Sequence, residues 1–195
     1  MLLFAAAAWA GMLIADVLCT GRTPAEDGPA PIAFKRLPFV VCATVLGAIA
    51  GFQGISPLHA AICTVAVLAL AGCAAADLSC GMLPDVLTLG PLAVVVGLGV
   101  ALHSWSPASG AVLVFLPFAL VAIVSKGRGM GWGDAKLAAF GGAFLGVRDA
   151  TLAFMLAAIA AYIVTRRSGH PKRPIAFGPY LAGSIATFSV ALGAH

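Results

Sequence analysis

The sequence predicts an all-α, polytopic integral membrane protein of about eight transmembrane helices. Three observations predict it: composition, the recurrence of apolar runs at span length, and the placement of basic residues. Of 195 residues, 62% are hydrophobic and 9% charged, and mean hydropathy is +1.07. A water-soluble domain carries about 25% charged residues and at this size has no room to bury so much apolar surface. The bilayer is therefore the solvent. Consecutive spans leave no space for separate cores, so residues 1–195 are expected to form a single transmembrane domain.

Runs of roughly 17–25 apolar residues mark spans. They place the spans near 2–19, 38–54, 57–76, 86–103, 109–125, 134–148, 150–165 and 176–194. The first, MLLFAAAAWAGMLIADVLC, has no basic leading segment, so it reads as a retained span and not a signal peptide. Asp16 lies one turn before its end, where it can snorkel or meet a basic residue. The Pro-rich connection RTPAEDGPAPIAFKR follows, with Glu26 and Asp27 as solvated turn residues. The third span ends at Asp77, and Pro84 turns the chain into the fourth, with Asp85 as its helix cap. The fifth leads to a glycine-rich, charged hinge, GRGMGWGDAKLAAF, from which the sixth starts at Asp134. The split between sixth and seventh rests on Arg148 and Asp149, read as an outer turn whose charges pair. Six or seven spans are also compatible with the runs.

Basic residues test the count. With eight spans, every lysine and arginine except Arg148 falls on one side, ten against one. The positive-inside rule makes that side cytoplasmic and puts both termini outside. The net charge of +4 then serves orientation and contact with the lipid bilayer, and no nucleic-acid partner is expected. The five cysteines form no C-x-x-C pair and read as small apolar fillers, not a zinc site or a disulfide frame. The four histidines have no ligand partners nearby in sequence, so no metal is expected.

Two carboxylates stand apart. Asp77 ends a span running toward the cytoplasm, and Asp134 begins one running away from it. They arrive at one membrane face although 57 positions apart (134 minus 77). A carboxylate at mid-bilayer costs roughly 2.5–3.5 kcal/mol on insertion scales, less toward the interface. Two at the same depth suit a joint role. Aspartic proteolysis requires such a pair. One ionised carboxyl takes a proton from water while the other, protonated, hydrogen-bonds the scissile carbonyl. Two close carboxyls share a proton, because they cannot both ionise. Gly131 and Gly133 suit a cavity wall, since glycine permits close backbone approach and positive φ.

The motifs are specific. GWGDAK, residues 131–136, resembles the G-x-G-D-x-K motif of the type IV prepilin peptidases, a family of intramembrane aspartic proteases. DLSCGMLPDVLTL, from Asp77, resembles their first-aspartate segment, and RPIAFGPYLAG is similar to their P-F-G-P-Y-L signature. The resemblance covers about residues 57–195. It implies an aspartic-type endopeptidase of the bacterial cytoplasmic (inner) membrane, which removes the short basic leader of a prepilin or pseudopilin at the cytoplasmic face. It implies Asp77 and Asp134 as the catalytic pair, with no cofactor, since water is the nucleophile. Lys136 would screen the pair, bind a carbonyl or anchor the helix. Gly178, Pro179 and Tyr180 would break or pack the last span near the site. Longer family members carry an N-terminal region with two C-x-x-C pairs and also methylate their product. This chain resembles the compact, peptidase-only form, so N-methyltransferase activity is not expected of it.

The alternative from another class is a small transporter or ion-path protein, which also uses intramembrane aspartates. A sequence repeat would favour it, and none is found. An inactive structural subunit is a third reading, against which both aspartates stand. Helix position gives the pair different expected states. The amino end of a helix favours charge on Asp134 and the carboxyl end disfavours it on Asp77, so Asp134 is expected as base and Asp77 as acid.

Topology is checked by reporter fusions. Fusions at Ala30, Ser79, Gly127 and His170 should report the cytoplasm, and those at Pro57, Pro107 and His195 the outside. A cytoplasmic C-terminus would break the eight-span arrangement.

Overall fold

The structure, a computed structural model, describes residues 1–20, 36–54, 56–126, 130–167 and 176–192. The described residues form eight α-helices and no strand. These are α1 (Leu2–Cys19), α2 (Leu37–Phe52), α3 (Pro57–Cys80), α4 (Asp85–Ala101), α5 (Ser106–Val124), α6 (Trp132–Leu145), α7 (Val147–Arg167) and α8 (Gly178–Leu192). Four of them, in α1, α3, α5 and α7, are long and apolar enough to cross a membrane. The 16-residue α2 and the 17-residue α4 are apolar but shorter. The chain is a multi-pass membrane protein. The Pro-rich connection after the first span, the hinge residues 127–129 and the basic segment before Ala176 lie outside the described residues.

Local chemistry sets the ends of α3. The Ser56 side chain accepts the N–H of His59 at 3.2 Å, and Pro57 occupies the first turn, where its missing N–H is not needed. At the other end Gly81 adopts φ 64°, and its N–H returns to the Asp77 carbonyl at 3.1 Å. A left-handed cap of this kind calls for glycine. Asp77 therefore lies within the last turn of α3, which runs four residues beyond the expected 76. Two other expectations are corrected. The break between α6 and α7 is made by Gly146 at φ 81°. Arg148 and Asp149 form no ion pair with each other; Asp149 sits in the first turn of α7 and Arg166 and Arg167 in its last, complementing the helix dipole.

Packing partners show the helix directions. Phe4 and Ala8 pack with Cys63 and Val67, while Met12 and Ala15 pack with Ala75 and Ala76, so α1 and α3 run parallel. Cys63, early in α3, meets the Ser189 carbonyl late in α8, whereas Asp77 meets Gly178 at its start; these two are antiparallel. Gly110 in α5 lies against Gly142 near the end of α6, again antiparallel. The ends of α1 and α3 and the starts of α2, α4, α6 and α8 thus share one end of the bundle. The start of α1 and the end of α8 lie at the other.

The interior is built from alanine, glycine and a few large side chains, among them Phe140, Leu137, Leu181 and Ile185. Large apolar residues such as Leu116, Leu120 and Ile159 face outward, as a lipid solvent permits. The 14-residue α6 rises about 21 Å against a hydrocarbon core of about 30 Å. It is buried along nearly its whole length, from Asp134 to Ala143. Non-helical backbone at its ends is tolerable there, because protein surrounds it.

One reading of the cysteines is overturned. Cys19 and Cys80 form a disulfide that ties the end of α1 to the end of α3, with a Cα separation of 6.2 Å. The 61 positions between them hide this pairing in the sequence; only the parallel packing of the helices brings the ends together. Cys63 and Cys73 are buried fillers, and Cys42 is exposed on α2. Asp16 pairs with Arg36, whose guanidinium also lies 5.3 Å from the Trp9 ring centre.

The Gly110–Gly142 contact gives a test. A Cβ on Gly142 would stand 2.5 Å from the Gly110 carbonyl oxygen and 2.7 Å from Val114 Cβ. Gly142→Val should lower stability by about 1–3 kcal/mol through overpacking, seen as easier unfolding in a detergent titration. Unchanged unfolding would mean that α5 and α6 pack less closely than described.

Candidate active site

The two aspartates reach the same end of the bundle on different helices. Asp77 is 6% exposed and Asp134 9%, and with Thr88 and Ser189 they are the buried polar side chains among the described residues. No Cα of α3 lies within 8 Å of a Cα of α6, so helix packing does not bring the carboxyls together directly. α8 and α4 each pack against both helices. Both carboxyls lie at the same end of the bundle, Asp77 in the last turn of α3 and Asp134 in the first turn of α6.

Their immediate surroundings differ. Asp77 Oδ2 accepts the backbone N–H of Gly178 at 2.9 Å. That N–H is free to donate because Gly178 opens α8, where the first amides have no partner within the helix. A Cβ at position 178 would lie 2.8 Å from the same oxygen, so glycine allows the approach. Asp134 stands in the first turn of α6, three residues after the cap Gly131, and not at the cap itself. Its Oδ2 lies beside Gly131, 3.6 Å from where a Cβ would stand, while Oδ1 is buried with no hydrogen-bond partner among the described residues.

The remaining predicted residues divide by position. Gly131 caps α6 at φ −76°, Gly133 lies inside α6, and neither uses the positive φ open to glycine. Gly133 matters through close approach: a Cβ there would lie 2.9 Å from the Leu83 side chain, on the turn between α3 and α4. Lys136 is engaged outside the pair, its Nζ meeting Asp85 Oδ1 at 2.6 Å. Asp85 is the first residue of α4, after the cap Pro84, and this ion pair replaces the capping expected of it. Both partners are partly solvated, so the contact contributes roughly 0–1 kcal/mol. Pro179 lines an apolar groove with Ala74, Ala182 and Gly183. Tyr180 is half-buried against the main core. The donor role of Gly178 went unread in the sequence. Its signal was a glycine before proline at a span's start, a pattern that opens helices and leaves a free amide.

Residues 63–165 match the model of the type IV leader peptidase family, a stretch that includes both aspartates. The chain belongs to the type IV leader peptidase family. A curated relative, "Prepilin leader peptidase/N-methyltransferase" of Aeromonas hydrophila, is 33% identical over 171 residues. That match covers 78% of this chain and 57% of the relative, so the chain spans little more than half of the relative's length. No solved structure matches it. Within the type IV leader peptidase frame, Gly178 lies outside the stretch matched by the family model, and the fold alone brings it to Asp77.

The packing of Leu83 on Gly133 is testable in a type IV leader peptidase that has only to fold. Gly133→Ala should destabilise the chain by about 1–3 kcal/mol. Leu83→Ala added to it should recover part of that loss, whereas Leu83→Ala alone destabilises. Thermal unfolding in detergent of the four chains measures the coupling, and simple additivity would separate the two residues.

Proposed function

We propose that this chain is an intramembrane aspartic endopeptidase that removes the short basic leader of type IV prepilins or pseudopilins. The observation that carries the reading is the pair of buried carboxyls, Asp77 and Asp134, at one end of the bundle within the family's matched region. Peptide hydrolysis needs one carboxylate to take a proton from water and one carboxyl acid to bond the carbonyl oxygen. The hydroxide so formed adds to the carbonyl carbon. The tetrahedral intermediate then collapses, the C–N bond breaks, and the leaving amine takes a proton from the pair.

The end bearing the aspartates is the cytoplasmic face in this proposal. Arg36, Lys126, Lys136, Arg166 and Arg167 lie at that end and Arg148 at the other, which supports the assignment by the positive-inside rule. Both termini then face the periplasm, and the eight helices act as one peptidase domain in a bacterial inner membrane. The relative's printed name joins two activities, and the peptidase half is the one for which this chain carries a candidate site. Gly131, Gly133, Lys136, Gly178, Pro179 and Tyr180 are proposed to shape that site.

Incubation of the purified chain in detergent with a prepilin, followed by electrophoresis, tests the reading. Asp77→Asn and Asp134→Asn should each lower leader removal by about 10²–10⁴-fold. The double variant should be no worse than either single one, because the pair acts as a unit. Asp85→Asn, which removes only the contact with Lys136, should keep substantial activity. Normal cleavage by either dyad variant would remove the assignment.

A further inference from the structure

The bond between Cys19 and Cys80 ties the end of α1 to the end of α3, at the end of the bundle that carries both aspartates. In the proposed topology that end faces the cytoplasm. A cytosol keeps protein thiols reduced, and the disulfides found there are mostly transient, catalytic or redox-sensing. In that setting the working pair is two thiols. The geometry accommodates both states. The Cα separation of 6.2 Å lies within the range that a disulfide spans. As a thiol, Cys80 has the Ala76 carbonyl as an acceptor, 3.2 Å from its Sγ. Gly11 against Gly72 holds α1 and α3 close whichever state is present.

Cys80 lies three residues after Asp77 (80 minus 77), in the same last turn of α3. Asp77 is 6% exposed, and Gly178 closes in its Oδ2. A peptide bond and a water molecule reach that carboxyl only when this turn or the start of α8 opens. Helix ends open locally at low cost, and segments that admit ligands are drawn from such places. A covalent bond from α1 takes that freedom from the turn. We propose that Cys19 and Cys80 are an oxidisable thiol pair, whose closure by a peroxide clamps the last turn of α3 and slows leader removal. The proposal rests on the peptidase reading and the cytoplasmic placement given above.

The chemistry closes without a metal or a cofactor. Cys19 is partly exposed and Cys80 is 6% exposed, so a peroxide meets Cys19 first. The Cys19 sulfur attacks one oxygen of hydrogen peroxide, the O–O bond breaks, and a water leaves with the thiol proton. The Cys80 sulfur then attacks the sulfenic sulfur, the S–O bond breaks, and a second water leaves with the Cys80 proton. The thiol pair gives up two electrons, which reduce the peroxide to water. Cellular thiols reverse the change. One thiolate attacks Cys19 Sγ and breaks the S–S bond, and a second releases the mixed disulfide. Both cysteines regain their protons, and the two cellular thiols leave joined.

The thiols of the full chain are counted first, in bacterial cells quenched with acid, by a mass-tagged maleimide under denaturation. All five cysteines should take the tag before hydrogen peroxide and three (5 minus 2) after it, with the Cys19–Cys80 link found by peptide mapping. In lipid nanodiscs the oxidised chain should remove a prepilin leader about 5-fold or more slowly than the reduced one. Dithiothreitol should restore the rate. Cys19→Ser and Cys80→Ser should keep the reduced rate and ignore peroxide, whereas Cys42→Ser, which removes an exposed free thiol, should stay sensitive. If a serine variant does not fold, amide hydrogen exchange of the unaltered chain decides, since oxidation should slow exchange in the last turn of α3. A link already closed in untreated cells overturns the proposal, as does no link after peroxide. So does a link that leaves the cleavage rate of an active chain unchanged or faster. A link that slows exchange in a chain that never removes a leader refutes only the peptidase reading. Leader removal by a chain whose thiols ignore peroxide refutes only this proposal.

Discussion

Two carboxyl groups buried in a bundle of alanine, glycine and leucine are the constraint on which the rest of this structure depends. A charge in such surroundings is costly unless a donor meets it. The donor comes from a backbone amide at a helix start, the one place where a helix has amides to spare. The start of α8 supplies it to Asp77, and so the last helix must begin against the end of α3. That entry explains why α8 begins with glycine: any side chain at position 178 would occupy the space of the carboxylate.

Small residues make the arrangement geometrically possible. In lipid there is little hydrophobic gain from pressing apolar helices together, and close van der Waals contact has to replace it. Gly11 and Gly72 let α1 lie against α3, and Gly110 and Gly142 let α5 lie against α6. With α6 enclosed in this way, a helix too short for the bilayer is surrounded by protein and carries Asp134 at its buried start. The large apolar side chains are left to the outer faces of α5 and α7, where lipid is their partner.

The rim has a different logic. Lys136 and Asp85 join α6 to α4, and Asp16 and Arg36 join α1 to the start of α2. In each contact the two opposite charges neutralise one another. The place of Lys136 two residues after Asp134 suggested a direct role, while its Nζ is engaged by Asp85.

The sequence by itself determined the all-α membrane class, all eight helices to within a few residues, and the two aspartates as a candidate pair. Those features are local: apolar length, glycine and proline punctuation, and charge placement are written in consecutive residues. Even the break between α6 and α7 was legible, although Gly146, and not Arg148 with Asp149, makes it. Tertiary structure alone decided what lies beside what. The bridge between Cys19 and Cys80, the turn of Lys136 to Asp85 and the donation from Gly178 to Asp77 join residues 61, 51 and 101 positions apart. No periodicity or spacing encodes such contacts. They follow from the order in which eight helices pack, and that order is settled by the fit of small side chains across many interfaces at once.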